Sequence, residues 1–323
     1  MASTNRRETI DDDGFIRLFE ELGGNGLARR LGVAIRSVQR RRVHLEGRIG
    51  RQIVAPTHLQ KHGDRGIRVG ASHPGRVEYE LRNGVCLVGS DLHIWPGSAP
   101  VMHRAFVKFC KDIKPKIVVL NGDVVDLAAV SRHPPIGWES RPTVQQEIEA
   151  AQDRLSEIEK AAGRVPKIWT LGNHDGRFET RLAQVAPEYA KVHGIHLRDH
   201  FSLWQPGWSC WLNNEVVVKH RFRAGVHAPW NNTVNSGKSI VTGHIHSAKV
   251  TPMTDYNGTR YGVDTGVMAD TYGRQFAYLE DNPRNWVSGF GVLTFVDGKL
   301  LFPELVTKWD DKTIQFRGEL IRV

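Results

Sequence analysis

No stretch of this chain stays apolar over anything near the ~20 residues that a helix needs to cross a bilayer. The first residues, with Arg6, Arg7 and Asp11 to Asp13 but no apolar run behind them, lack the pattern of a secretory signal. A cytoplasmic protein with no membrane partner is therefore expected. Cysteine is scarce: Cys86, Cys110 and Cys210 are far apart and set among apolar neighbours. An odd, scattered set of that kind supports neither a disulfide framework nor a thiolate zinc site, and the three are expected to fill core. Internal repeats and low-complexity tracts are absent too, so a repeat array is not in view.

Acid is nearly missing from one segment. Between Arg29 and Arg51 there are eight arginines and a single acid, Glu46, a net +7 in a chain whose total is +9. Phe15, Leu18, Phe19 and Leu22 recur at helical spacing before Gly23-Gly24. A second short helix is expected from about Gly26 to Gly32, with Leu27, Ala28 and Leu31 inward, and a third from Ala34 through Arg42, with Val38 inward. Helix, glycine turn and arginine-rich helix resemble a helix-turn-helix DNA reader, in which Arg36, Gln39, Arg40, Arg41 and Arg42 would meet DNA. Arg41 stands where such units usually carry an apolar residue. The alternative is a solvated basic helix, or a tail for any polyanion.

What the chain does have is enough apolar sequence, 40% of 323 residues, for a large core. It also has a series of short apolar runs that each end in polar residues. Val85 to Val88 precedes Asp91-Leu92-His93, and Ile117 to Leu120 precedes Gly122-Asp123. A run ending in Trp169 and Thr170 precedes Gly172-Asn173-His174-Asp175. Val216 to Val218 precedes His220, and Ile240-Val241 precedes Gly243-His244-Ile245-His246. Strand tips followed by loops are where α/β enzymes place their chemistry, because the sheet fixes the backbone and the loop is free of packing duty. Any one of these histidines alone would more often be structural; five tips in series point to one convergent site.

Taken together, D-x-H, G-D, G-N-H-[DE], H and G-H-x-H in this order resemble the signature of the calcineurin-like metallophosphoesterases, over roughly residues 77 to 323. The resemblance implies a layered α/β/β/α sandwich. It also implies two divalent ions, one held by Asp91, His93, Asp123 and His246 and one by Asp123, Asn173, His220 and His244, with Asp123 shared. Imidazole and carboxylate without thiolate suit manganese, iron, nickel or zinc better than calcium or magnesium. Manganese is the expected ion, with iron, nickel, zinc or magnesium as alternatives. Ions about 3.5–4 Å apart can share a water, lower its pKa and aim it at phosphorus. His174 is then free to protonate the leaving oxygen, with Asp175 holding its tautomer.

The remaining sequence divides as residues 1–50, helix-turn-helix-like; 51–75, a Gly-, Pro- and His-containing linker; and 76–323, catalytic. Val77 to Leu81 alternates, and Asn83-Gly84 then leads into Val85 to Val88, which predicts a hairpin. Helices are expected over Val101 to Ile113, after the Thr143/Gln146 capping box, and from Arg177 to Val185. Residues 131–142 form a loop that could border substrate. Phe201, Trp204, Trp208 and Trp211 are expected to pack rather than to stack on bases. Gly122-Asp123-Val124-Val125-Asp126 and Asp175 lack the Arg and Glu typical of Ser/Thr protein phosphatases. The expected function is a metal-dependent DNA phosphodiesterase, a nuclease. The alternatives are a small-molecule or cyclic-nucleotide phosphodiesterase, and a DNA-binding protein with a structural metal site.

Overall fold

A computed structural model describes residues 10–51, 53, 73–135 and 137–323 of the chain. The chain divides between Pro74 and Gly75 into two compact units. Most of the expected linker, residues 54–72, lies outside the described residues.

In the first unit, α1 (Asp12–Leu31) is capped by Asp11, whose carboxylate accepts from the Gly14 amide at 2.7 Å. Gly23, at φ 68° and ψ 172°, breaks it into the two helices anticipated from the glycine pair. Gly32 closes it in the left-handed conformation, and α2 (Ile35–Ile49) runs a further two turns beyond Arg42. Phe15, Phe19, Leu27, Val38, Leu45 and Ile53 form the buried seam between the helices. The arginines on α2 are not equivalent. Arg41 donates to the Asp12 carboxylate at 2.8 Å and to the Ile10 carbonyl at 2.9 Å, with its guanidinium 4.8 Å from the Phe15 ring centroid. Arg42 lies over Phe19 and beside Glu46, while Arg48 pairs with Asp12 and Arg51 with Glu20. Gln39 is half-buried. Of the five residues expected to face DNA, Arg41 and Arg42 are thus turned onto their own unit, because α1 offers them carboxylate and aromatic faces. Arg36 and Arg40 remain exposed. The guanidinium over Phe15 lets this arginine pack on an apolar surface while its charge meets Asp12.

The second unit is an α/β/β/α sandwich. A nine-stranded sheet runs in the order β15 (Glu319–Arg322), β14 (Thr313–Phe316), β13 (Glu304–Lys308), β11 (Gly289–Val296), β2 (Gly84–Gly89), β3 (Ile117–Asn121), β4 (Lys167–Thr170), β5 (Gln205–Gly207), with β12 (Lys299–Leu300) on β11. A six-stranded sheet runs β1 (Val77–Tyr79), β6 (Cys210–Leu212), β7 (Val216–Val218), β8 (Ser239–Thr242), β10 (Gly258–Asp264), β9 (Lys249–Asp255). Its parallel centre is β2 (Gly84–Gly89), β3 (Ile117–Asn121) and β4 (Lys167–Thr170) in one sheet and β7 (Val216–Val218) beside β8 (Ser239–Thr242) in the other. Strands buried on both faces read as continuous Val/Ile/Leu runs, which is why these five were visible in the sequence. Cys86, Val88, Val119, Ile168, Val218 and Val241 pack between the sheets. The amphipathic helices α3 (Val101–Ile113) and α4 (Val144–Ala162) cover the outer face of the nine-stranded sheet, and α4 starts at the Thr143/Gln146 capping box. All three cysteines are buried and free. Phe201 and Trp204 are buried, with Trp204 Nε1 donating to Glu159 at 2.8 Å.

One local expectation is corrected. β1 (Val77–Tyr79) and β2 do not form a hairpin; β1 pairs in parallel with β6 (Cys210–Leu212) in the other sheet. Both edges of β2 are taken by β3 and β11 (Gly289–Val296), so the chain at Asn83-Gly84 passes from one sheet to the other. The turn chemistry is used differently: Asn83 accepts from the Asp297 amide at 2.9 Å and Arg82 from the Gly298 amide at 2.7 Å, which fastens two turns together.

Candidate metal centre

The C-terminal ends of β2, β3, β4, β7 and β8 deliver Asp91 and His93, Asp123, Asn173 and His174, His220, and His244 and His246 in turn. Main-chain bonds tie the loops to one another. The Asp91 amide donates to Gly122 O at 3.0 Å, His93 to Asp123 O at 2.9 Å, and Gly243 to His220 O at 2.9 Å. Asp91, His93, Asp123, His244 and His246 all hold left-handed backbone, with φ of 55°, 37°, 48°, 72° and 58°. Non-glycine residues rarely adopt this conformation, and a cluster of them marks a site that the surrounding structure over-determines. The glycines beside them are required by closeness. A Cβ on Gly172 would lie 2.1 Å from Asp123 Oδ1, and one on Gly243 would lie 1.8 Å from Ser90 Oγ.

The donor atoms are oriented from behind. His220 Nδ1 lies 2.8 Å from Asn121 O, and a carbonyl can only accept, so Nδ1 carries a proton and Nε2 faces inward. His93 is fixed likewise by Asp126, whose Oδ1 is 2.9 Å from its Nδ1. The inward atoms, His93 Nε2, His220 Nε2 and Asn173 Oδ1, together with His246 Nδ1, are buried and none makes a well-aligned hydrogen bond among the described residues. Such groups cost about 1–3 kcal/mol each unless something occupies them. His220 Nε2 lies 3.1 Å from Asp123 Oδ2, and His246 Nε2 lies 3.0 Å from Asp91 Oδ1. Three groups, Asp91/His93/His246, His93/Asp123/His174 and Asp123/His220/His244, each bring their ligand atoms within 4.8 Å of one another. Asp123 belongs to two of them. Imidazole, carboxylate and amide oxygen without thiolate is a donor set suited to first-row dications, and the backing carbonyl and carboxylate are the usual outer support for metal-binding histidines.

The electrostatics agree. Burial works against ionisation of Asp91, yet His246 and His220 more than offset it and bring its pKa down to about 2. Asp123, also buried, is carried well below the carboxylate range by His220. Burial opposes a charged His220 as well, but Asp123 and Asp91 push it up to about 10. A positive charge is thus demanded between these carboxylates, and a proton supplies it when no cation does; metal binding would release that proton.

His174 lies at the edge of the cluster. Its amide donates to Asp123 Oδ1 at 2.8 Å, its Nδ1 is 2.9 Å from Asp126 Oδ1, and its Nε2 is 3.1 Å from Arg177 Nη2 and 3.9 Å from Asp123 Oδ2. Asp175 is not its partner. That buried carboxylate accepts from the Val124 amide at 2.9 Å, the Gly172 amide at 2.8 Å and Trp169 Nε1 at 2.9 Å, so it braces the two loops. Asp126 takes the place expected of Asp175, because α5 (Asp175–Val185) starts at Asp175 and turns that side chain back under the loops. Asp126 and Arg177 went unread in the sequence. Their signals were spacing: Asp126 follows Asp123 by three residues, as Arg177 follows His174. A cavity of about 430 Å³ opens beside His174, lined by Asn173, Arg177, Arg141 and Tyr278, and the 131–142 loop borders it through Ser131, His133, Pro134, Glu139 and Arg141.

The pattern of the calcineurin-like phosphoesterase family matches residues 86–248, half of the chain and the whole of this cluster. The chain belongs to the calcineurin-like phosphoesterases. It is similar to the Gene 54 protein of Mycobacterium phage D29, 29% identical over 234 residues, which covers 63% of this chain and 86% of that one. Among solved structures it resembles Vps29 of Entamoeba histolytica in its zinc complex, at 16% identity and TM-score 0.39 over 74% of this chain and 98% of that one. It also resembles Vps29 of Chaetomium thermophilum, at 13% identity and TM-score 0.40 over 75% and 97%. None of the described helices is long and apolar enough to cross a membrane.

Proposed function

We propose that this phosphoesterase hydrolyses phosphodiester bonds in DNA, with two divalent ions, manganese first, as its cofactor. The observation that carries the hydrolytic reading is the convergence of buried donor atoms without well-aligned hydrogen bonds around the doubly used Asp123. Asp91, His93 and His246 would hold one ion, Asn173, His220 and His244 the other, and Asp123 both. Bound dications at such a centre supply Lewis-acid chemistry, activating water near neutral pH and offsetting charge on the phosphoryl oxygens.

The chain's own residues account for the rest. His174 adjoins the metal-holding set with Nδ1 fixed by Asp126, and its Nε2, which now accepts from Arg177 Nη2 at 3.1 Å, would leave that contact and take up a proton to meet the leaving oxygen. Burial disfavours its charged form, whereas Asp126 and Asp123 favour it; the share of Asp123 would be taken up by bound ions, which leaves Asp126 as the group that holds a proton on His174 for an alkoxide leaving group. Arg177 donates to the Asp126 carbonyl at 2.9 Å, holding this pair in register and adding a positive charge to the cavity wall. DNA as substrate is supported by the excess of basic charge, +9 overall.

The test is the purified protein with Mn²⁺ on single- and double-stranded DNA, RNA, cyclic nucleotides and aryl phosphate mono- and diesters in parallel. Cleavage of DNA with diesters preferred to monoesters is expected. Faster turnover of cyclic nucleotides, with DNA left intact, would replace the nuclease reading by a small-molecule phosphodiesterase.

A further inference from the structure

From Val216 to Thr254 the chain contains five lysines and arginines and no aspartate or glutamate. That run of 39 residues carries His220, His244 and His246, so it is also one wall of the metal centre. Lys238 is paired, 4.0 Å from Glu215. Lys219, Arg221, Arg223 and Lys249 have no carboxylate partner among the described residues.

Lys219, Arg223 and Lys249 all meet the loop that follows His220, and Arg221 is an exposed residue of that loop. Lys219 and Arg221 flank His220 in sequence. The loop that follows is pinned at two places: the Arg223 amide donates to Asn232 Oδ1 at 3.0 Å, and Lys249 Nζ to the Val226 carbonyl at 3.3 Å. Asn232 lies in α6 (Ala228–Ser236), and Lys249 opens β9 (Lys249–Asp255). Phe222 is set beside two of the cations, and Trp230 lies on the exposed face of the helix that holds Asn232. Phe222 is 44% exposed and Trp230 43% exposed, and Lys219 Nζ and the Arg223 guanidinium lie 5.4 Å and 5.9 Å from the Phe222 ring centroid. An unpaired cationic row leaves phosphate as the natural complement, and exposed rings add base stacking, which is open to unpaired bases and closed to a duplex.

We infer that Lys219, Arg221, Phe222, Arg223, Trp230 and Lys249 form a track for single-stranded nucleic acid that feeds the metal centre from the His220 side. The track rests on the reading of the substrate as a nucleic acid and sharpens it to an unpaired strand.

The experiment uses the full chain in EDTA, so that nothing is turned over, and follows the anisotropy of a labelled 20-nucleotide single strand and of a labelled duplex against KCl. Arg221→Ala/Arg223→Ala/Lys249→Ala should raise Kd for the single strand about tenfold or more and shallow the salt slope by about 2, three contacts at ~0.7 each. Phe222→Ala/Trp230→Ala should weaken the single strand about tenfold and the duplex less than about twofold. Arg221→Glu makes no side-chain hydrogen bond or ion pair to lose among the described residues, and it should weaken single-strand binding in a protein of unchanged melting temperature. An unchanged Kd and slope in the triple variant and in Arg221→Glu overturns the track, and equal weakening of both strands by the aromatic variant overturns its single-strand preference. Cleavage by the Mn²⁺-loaded wild type is read separately. Binding through the track without cleavage removes the nuclease reading and leaves the track; cleavage with triple-variant binding unchanged does the reverse.

Discussion

Two basic regions of this chain carry similar charge and use it in opposite ways. On α2, Arg41, Arg42 and Arg48 are turned onto Asp12, Glu46, Phe15 and Phe19 of their own unit, so much of the +7 read along that segment is already spent inside it. After β7, four cations stand without carboxylate partners among the described residues, close in sequence to the histidines of the metal centre. Charge counted along a sequence therefore says where cations are made, and pairing decides where they are available to a partner. The contrast can be broken at the centre, at its supporting residues or at the arginines themselves.

The largest effect belongs to the centre. If chemistry resides wholly in the second unit, Asp123→Asn should cost roughly 10³-fold or more in turnover on every phosphoester. It should also lower the metal content, since Asp123 belongs to two of the candidate groups. DNA affinity conferred by α2 should remain. Metal analysis showing two ions at full occupancy in that variant would remove Asp123 from its shared role.

Next comes His174. His174→Ala should keep its metal and lose about 10²–10⁴-fold in turnover, with a smaller deficit for aryl diesters, whose leaving groups need no proton. Asp126→Asn should do something different, because Asp126 backs both His93 and His174. A weakening of metal affinity by about 10–100-fold is expected. At saturating Mn²⁺ the alkaline limb of the pH profile should also move. Asp126 helps raise the pKa of His174, so activity that needs its proton persists to higher pH in the wild type and is lost at lower pH in the variant. A limb that stays in place, with metal saturated, would take the proton away from His174.

What was legible in the sequence follows the same division. The parallel strands are buried on both faces and so read as unbroken apolar runs, and the residues at their tips follow at short, fixed distances. The misreadings arose where the same local chemistry serves two geometries. Asn83-Gly84 is a hairpin turn or a crossing between sheets, and only the occupied edges of β2 decide. Asp175 beside His174 is a partner or a brace, and the start of α5 decides. Arg41 on a basic helix faces DNA or Phe15, and nothing within α2 itself distinguishes them, because Asp12 lies 29 residues away.

The finest test separates arginines on one helix. Arg36 and Arg40 are exposed, whereas Arg41 and Arg42 are half-buried against α1. If the exposed pair meets phosphate, Arg36→Ala/Arg40→Ala should shallow the salt dependence of duplex binding by about 1.8, two contacts at ~0.9 each, without altering the melting temperature. Arg41→Ala/Arg42→Ala should leave that slope nearly unchanged and act on stability instead. Both are partly solvated, so the ion pairs are worth little and the loss comes chiefly from their stems and guanidinium faces over Phe15 and Phe19. A fall of a few degrees in the melting of the first unit is expected, of the size that about 1 kcal/mol produces in a small domain. If the two pairs prove interchangeable in salt slope, the internal contacts of Arg41 and Arg42 are given up on binding. Charge along α2 would then be as available as the sequence suggested, and the difference between the two basic regions would lie only in the metal-centre histidines that the second of them carries.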